Sequence, residues 1–461
     1  MNIIYREKDI PNIHDLDVYV KNGGYSALQK ALGMSRADVI NEVKAANLRG
    51  RGGAGFPAGV KWSFIPQDNP LNYLTVNADE SETGTFKDRQ IMERNPHQLI
   101  EGALICAYAI KAAAVYIYIR GEYWDVAAGL EKAIADAEKA GYFGLNNKTK
   151  VPRDPKGNLV KYVGLNDQGT GEIVESENFA CRVFVHLGAG AYICGEESAL
   201  LESLEGKMGQ PRVRPPFPAN KGGGLYGEPT VVNNVETLAN VPFILDKGAA
   251  EYKKLGTEQS TGTKVFCLSG HVEKPGNYEL EFGKFTLRDL IYNFGGGIKG
   301  GKQIKGVLPS GGSGPVIRIN GNDDPVLDTK LTYEDFTKLG SILGSASVIV
   351  MDETVDMTWV ASKVTKFFHH ESCGKCTPCR EGTYWLDKVI DRIMANEAKP
   401  SDIDLINNVA TNMKGVTLCA LGEFAANPIL YTIKHFPEDF KAHTSGAAKP
   451  AVRTAAAAGG D

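Results

Sequence analysis

Basic excess is missing from this chain of 461 residues, in which 51 Lys and Arg face 55 Asp and Glu for a formal charge of −4. No basic run or stripe stands out either, so nothing marks a nucleic-acid surface. The N-terminal "MNIIYREKDIPNIHDLD" lacks a basic stretch leading into an apolar block and a small-residue cleavage site, which makes the cytosol the expected compartment. No uninterrupted apolar run reaches the roughly 20 residues of a membrane span. The nearest, "LIEGALICAYAIKAAAVYIYI" from 99 to 119, is broken by Glu101 and Lys111 and ends in strand-like alternation. Membrane association is therefore expected only through a partner. Eight cysteines are too few for a disulfide framework in a chain this long. No internal repeat is evident.

What remains is an ordinary globular composition, 43% hydrophobic and 23% charged, which fits roughly two to four domains. The first, over residues 1–245, mixes helical and strand patterns. "SRADVINEVKAANL" (35–48) reads as a helix capped by Ser35, with Val39, Ile40, Val43 and Leu48 near helical spacing. Strand-like runs follow at 72–76, 115–119 and 182–187, with a helical pattern over 125–140. Such alternation favours a largely parallel sheet covered on both faces.

Over residues 246–345 the character changes. "KVFCLSGHV", "GNYELEF" and "PVIRI" are short strand candidates separated by glycine clusters read as turns. From 346 to 440 the pattern is that of a helical bundle, including "EGTYWLDKVIDRIMA" and a segment opening on Ser401 and Asp404 as a capping box. The Ala-rich tail, 441–461, reads as disordered.

Four of the cysteines carry the strongest signal. Cys373, Cys376 and Cys379 follow one another at two-residue spacing in "ESCGKCTPCREGT", and Cys419 is the one later cysteine. Three thiolates from a tight loop plus a remote fourth fit a [4Fe-4S] cubane, in which each thiolate reaches a different iron. Zinc, which usually takes two cysteine pairs, is the alternative. Folding back across a helical hairpin would bring Cys419 to the loop. Lys375 and Arg380 would offset cluster charge or stand as solvated surface charge, and His369 and His370 fit helix-end packing better than ligation. The remaining cysteines read as small buried hydrophobes.

The second constellation is "NLRGRGGAGFPAGVKWSF", residues 47–64. Gly50, Gly52 and Gly55 match G-x-G-x-x-G, but a helix precedes them where a dinucleotide fingerprint needs a strand. Five glycines within the ten residues 50–59 still let backbone amides approach a phosphate or a flat ring, and Lys61 adds a cation. A plain flexible loop is the competing reading. Asn77, Asp79, Glu80 and Glu82 follow the first strand, where carboxylates can accept bonds from ribose or ribityl hydroxyls and repel a 2′-phosphate. That pattern favours NAD over NADP. Glu196 and Glu197 open a helix after another strand, which suits a ligand role and equally a helix N-terminus.

Taken in order, "RGRGGAGFPAGVKW", "NADESETG", "GAGAYICGEESALLESLEG", "RPPFPANKGGGLYGEPTVVNNVETLANV" and "ESCGKCTPCREGT" with "LCALGEFA" resemble the NADH-binding flavin subunit of respiratory complex I, the 51 kDa type. The resemblance spans about residues 15–440. It implies a Rossmann-like flavin domain, a ubiquitin-like β-grasp domain and a helical bundle carrying an iron-sulfur cluster. It also implies one FMN, one [4Fe-4S] cluster on Cys373, Cys376, Cys379 and Cys419, and NADH as substrate. Gly50, Arg51, Gly52, Gly53 and Lys61 would form the loop around FMN and nucleotide. Asn77, Asp79 and Glu80 would hold the ribityl and phosphate region, and Tyr192, Gly195, Glu196, Asn233, Asn234 and Thr237 would complete the pocket. Phe56, Phe64 and Phe217 match the adenine-stacking aromatics, although the residues alone would put all three in the core. Glu82 and Glu197 would face the nucleotide as the catalytic pair, Glu197 orienting NADH. "PPFPANKGGGLYG" is two residues longer than the usual family form, which bears on residues 220–224.

The resemblance further implies two partners, a small thioredoxin-like [2Fe-2S] subunit and a large iron-sulfur subunit, with the chain peripheral on the cytoplasmic side of the inner membrane. Lacking a thioredoxin-like extension and a ferredoxin run, the sequence fits complex I better than a fused hydrogenase, with a formate dehydrogenase diaphorase as the other candidate. A zinc-stapled assembly module without enzymatic activity is the rival of a different class.

Overall fold

The computed structural model describes residues 2–166 and 168–444. The tail expected from 441 lies outside the described residues from 445 onward. Eleven strands are described: β1 (Asn72–Ala78), β2 (Ala112–Ile119), β3 (Val160–Leu165), β4 (Gly171–Ser176), β5 (Arg182–Leu187), β6 (Thr230–Asn234), β7 (Thr263–Gly270), β8 (Gly276–Glu281), β9 (Ile304–Gly312), β10 (Ile317–Arg318) and β11 (Ser347–Asp352).

The first sheet has the order β5-β2-β1-β6 and is parallel throughout. β1 and β2 are buried on both faces, as strands covered by helices on both sides must be, and their near-continuous apolar runs follow from that. The helix Pro96–Ala109, buried along its whole length, connects them. The apolar segment 99–119 thus resolves into a core helix and a central strand. Among the described residues no helix is long and apolar enough to cross a membrane. The expected helix at Ser35 is present as Arg36–Ala45, with the Ser35 side chain accepting the Asp38 N–H. Two elements had no clear signature. β6 is a five-residue strand ending on two asparagines, and β3–β4 form a separate antiparallel hairpin.

The second sheet, β10-β9-β11-β7-β8, is mixed: β11 runs parallel to β7 and the other pairs are antiparallel. One expectation fails here. Gly311 and Gly312, read as turn residues, lie at the end of β9. Gly311 has φ +61°, and the Thr83 carbonyl occupies the space a Cβ would need, so glycine here permits close approach of two backbones.

The C-terminal region packs the helices Met357–Glu371, Thr377–Met394, Ser401–Met413 and Leu421–His435 around a shared apolar core. The capping box at Ser401 is not formed. Ser401 is already helical, Pro400 occupies the N-cap, and Asp402 instead accepts the Lys399 N–H at 2.9 Å.

Candidate functional site

In the parallel sheet β1 pairs with β2 on one side and with β6 on the other, so the chain order reverses between β1 and β6. Crevices at the carboxyl ends of strands at such a switch are where open α/β sheets bind ligands. Val76 lies opposite Asn233 and Asn77 opposite Asn234, which brings Asn77, Asp79, Asn233 and Asn234 to one edge.

The glycine loop closes over this edge. Gly50 N–H donates to the Phe56 carbonyl at 2.9 Å, and Arg51 N–H donates to Thr237 Oγ1 at 2.8 Å. A Cβ on Gly52 would stand 2.9 Å from the Asn234 Cβ, while Gly53, at φ +148°, has open space in front of it. Lys61 Nζ reaches Glu197 Oε2 at 2.7 Å and the Val232 carbonyl at 2.9 Å. Trp62 Nε1 donates to Asn233 Oδ1 at 2.7 Å, so that asparagine is braced from behind. Thr237 and Asn234 hold the loop and the next helix, the Asn234 side chain accepting the Glu236 N–H.

Two of the expected site residues direct their side chains elsewhere. The Arg51 side chain is fully buried and points away from the crevice, donating to the Thr263, Arg49 and Thr261 carbonyls and the Tyr252 hydroxyl. Its guanidinium is spent inside, because a buried charge must satisfy its donors where it lies. Glu80 uses both carboxylate oxygens to accept the Asp88 and Arg89 N–H groups at 2.7 and 2.9 Å, capping the helix Lys87–Arg94. Burial, with Asp88 beside it, lifts its carboxyl to about 7.

The other carboxylates stay at the crevice. Asp79 is lifted to about 7 by burial and lies beneath Gly195, whose carbonyl accepts Asn77 Nδ2 at 2.9 Å. Glu82 accepts the Tyr192 hydroxyl at 2.9 Å and the Ser313 N–H at 3.2 Å, and burial raises its carboxyl. Glu196 caps the helix Glu197–Leu204 by accepting the Ser198 and Ala199 N–H groups, and pairs with Arg214 at 2.5 Å. Of its two readings, the helix N-terminus is the one its geometry meets. Glu197 pairs with Lys61 at 2.7 Å and Arg214 at 3.1 Å. Burial raises this carboxyl, but the two cations outweigh it and leave it below its ordinary value.

Phe56, Phe64 and Phe217 are exposed to 48%, 54% and 53%, against the core placement their residue type suggests. Phe56 and Phe64 lie 6.2 Å apart, ring centre to ring centre. Large aromatics left open beside a cleft suit stacking on a flat ligand.

Cys373, Cys376, Cys379 and Cys419 line one cavity with Ile193, Pro211, Lys375, Leu418 and Leu421. Cys379 lies in the first turn of the helix Thr377–Met394, and Cys419 just ahead of Leu421–His435. The hairpin between them delivers the remote thiol to the loop. Four thiols from one loop and one remote segment, lining a single cavity, fit a cubane, which takes one thiolate at each iron. Lys375 Nζ donates to the Pro211 carbonyl at 2.6 Å and Gln210 Nε2 to the Cys373 carbonyl at 2.8 Å. Arg380 pairs with Glu381 and donates to the Gly374 carbonyl, while His369 bonds Asp387 at 3.1 Å near the helix end.

Residues 43–243 match the family of the Nuo51 FMN-binding domain, 264–350 the SLBB domain, and 359–443 the iron-sulfur binding region of NADH-ubiquinone oxidoreductase F. The chain is 48% identical over 443 residues to an F subunit of the NADH-quinone oxidoreductase of Rhizobium meliloti, covering 96% of this chain and 97% of that protein. It belongs to the family of NADH-quinone oxidoreductase F subunits. The F subunit of Mycobacterium tuberculosis is 44% identical over 456 residues, 97% of this chain and 94% of its own. Among solved structures, a chain of an NAD+-reducing [NiFe]-hydrogenase in the H2-reduced state aligns over 92% of this chain with a TM-score of 0.76 and 36% identity. This chain spans 65% of that one.

Among the residues around the crevice of this family member, residue reading missed Arg214, which the structure brings against Glu196, Glu197 and the Phe217 ring, 6.0 Å from its centre. Its signal was available, a cation three residues ahead of the proline-flanked phenylalanine. Trp62 carried no comparable signal, since a lone tryptophan in a helix reads as core.

Proposed function

We propose that this chain oxidises NADH by hydride transfer to FMN at the β1/β6 edge, and delivers electrons singly to a [4Fe-4S] cluster on Cys373, Cys376, Cys379 and Cys419. Bound FMN supplies a two-electron acceptor able to release electrons one at a time. The turn Tyr192–Gly195 supports this reading best: Ile193 forms part of the cysteine cavity wall, and Gly195 two residues on bonds Asn77 at the crevice. One turn of chain separates the two sites.

The residues act by placement. Amides at Gly52 and Gly53 meet phosphate or ring, Gly50 closes the loop on the Phe56 carbonyl, and Lys61 adds charge. Asn77, Asp79, Tyr192, Gly195, Asn233, Asn234 and Thr237 line or brace the flavin pocket, and Glu196 frames it as a helix cap. Arg51 and Glu80 act from behind, as core anchor and helix cap. Phe56, Phe64 and Phe217 stack the adenine, while Glu82 and Glu197 face the nucleotide. No side chain serves as nucleophile; orientation of the nicotinamide carries the rate.

We take residues 1–245 as a Rossmann-like flavin domain, 246–345 as a β-grasp domain and 346–440 as the cluster domain. Electrons leave to a small thioredoxin-like [2Fe-2S] subunit and a large iron-sulfur subunit of complex I, on the cytoplasmic side of the membrane. Identity of 48% to the Rhizobium relative, against 36% to the hydrogenase chain, favours this parent complex.

Anaerobic NADH should bleach the flavin absorbance of the purified protein and then raise a reduced-cluster signal; a colourless, zinc-containing protein sinks the reading. Glu197→Gln leaves Lys61 without its carboxylate and Arg214 with Glu196 alone, opening the site to a 2′-phosphate. The NADH over NADPH preference in kcat/KM should fall by about tenfold or more, the equivalent of about 1.4 kcal/mol. An unchanged ratio removes Glu197 from the specificity role.

A further inference from the structure

The segment Pro211–Glu228 leaves the helix Glu197–Leu204, carries Arg214 and Phe217 past the nucleotide side of the crevice, and returns into β6. Arg212 ties it to that helix at several points. The Arg212 N–H donates to Ser198 Oγ at 2.9 Å, and its guanidinium reaches in two directions. Towards the helix, Nε donates to Glu202 Oε1 at 2.5 Å and Nη2 to Glu205 Oε1 at 2.7 Å. Towards the strap, Nη1 donates to the Gly223 and Gly224 carbonyls at 2.9 and 2.8 Å. The same Glu205 oxygen accepts the Tyr226 N–H at 2.7 Å, with Tyr226 at φ +52°. A Cβ at Gly223 would meet the Phe217 carbonyl, and one at Gly224 the Glu228 carbonyl. The loop is thus folded tightly onto the backbone of Phe217 itself.

We infer that Arg212 is a positioning residue for the nucleotide: it clamps the strap to the helix bearing Glu197, so that Phe217 and Arg214 are held in place before NADH arrives. The inference rests on the nucleotide reading above. Only a planar fork with five donors can serve two carboxylates and two carbonyls at once, and a lysine ammonium cannot span them. The Arg212 side chain is only 18% exposed, and its bonds run to the strap and the helix, not to the crevice face. Its effect therefore falls on binding. Preorganisation shared by substrate and transition state changes KM and leaves kcat alone.

Arg212→Met should raise KM for NADH by about tenfold with kcat within about twofold and FMN content unchanged, the pattern of lost uniform binding. Arg212→Lys and Glu205→Gln should raise KM in the same direction by less, and amide exchange over residues 214–227 should quicken in all three variants. If Arg212→Met does not fold, the two milder variants decide. Wild-type KM in folded, FMN-loaded variants overturns the inference, as does a loss of FMN or of kcat that matches the change in KM. Failure of wild-type flavin to bleach with NADH would instead overturn the nucleotide reading itself.

Discussion

Cys419→Ala is expected to yield a protein that still holds FMN and still bleaches with NADH, but contains no [4Fe-4S] cluster. Electron delivery beyond the flavin should fall by more than about 100-fold, past the 10–100-fold typical of changes behind a metal's ligands. The reason is geometric. Cys373, Cys376 and Cys379 occupy one short loop and first helical turn, and Cys419 comes from across the hairpin as the fourth thiol of the cavity. Removing it leaves one iron without a protein ligand. The flavin crevice draws on β1, β6 and the glycine loop, none of which contains these cysteines. Iron and acid-labile sulfide content, with low-temperature EPR of the reduced protein, checks the result. Cys194→Ala is the control: Cys194 lies in the neighbouring turn Tyr192–Gly195 but does not line the cavity, so its loss should leave the iron content alone. Wild-type iron in Cys419→Ala, or loss of iron in Cys194→Ala, would show that the fourth ligand is misassigned.

The second large effect lies between the first two sheets. Lys264, on β7, is fully buried and donates to Glu236 Oε2 at 2.5 Å, while Glu236 Oε1 accepts the Val265 N–H at 2.8 Å. Lys87 stands 3.0 Å from the same Glu236 and 2.7 Å from Asp88. Asp88 in turn accepts Asn234 Nδ2 at 2.7 Å, and Asn234 packs under Gly52. Burial draws the Lys264 ammonium down to about 8, with the Glu236 carboxylate opposing the fall. Burial raises the Glu236 carboxyl, but Lys264, Lys87 and Arg51 outweigh it and hold it below its ordinary value.

Lys264→Met removes one cation from a dry, coupled set and should destabilise the protein by about 3–5 kcal/mol, the range for breaking a buried pair. Adding Glu236→Gln should recover part of that loss, because the orphaned charge is what costs most. Urea unfolding followed by FMN release reads both variants. A Lys264→Met midpoint equal to wild type would mean that the network carries no load.

Several features were legible from residues alone because they are local. β5, an edge strand, matches its strand-like run residue for residue, while β1 and β2 extend beyond theirs; strands covered on both faces, as these two are, need continuous apolar side chains. Ser35 announced its helix through side-chain chemistry that acts within three residues. The three-cysteine spacing announced a cluster for the same reason. β6 escaped because five residues ending in two asparagines fall below any periodic signal, although those asparagines prove to be part of the crevice edge.

Residue type could not settle the use of charge. Glu80 and Glu196 are carboxylates beside a crevice, and both turn out to cap helices, because amides at a helix start compete for the same oxygens as a ligand. Arg51 sits within the glycine loop yet points into the core. Phe56, Phe64 and Phe217 read as core by hydrophobicity and are exposed, since burial depends on what the rest of the chain places over them. Pattern and spacing were enough for the α/β domain, the sheet-rich and helical regions that follow, the thiol set and the glycine loop. Two features emerged only in the folded chain: the turn Tyr192–Gly195 joins the thiol cavity to the crevice, and Arg212 clamps the strap. Both depend on contacts outside any helical or strand repeat, and such contacts leave no periodicity to read.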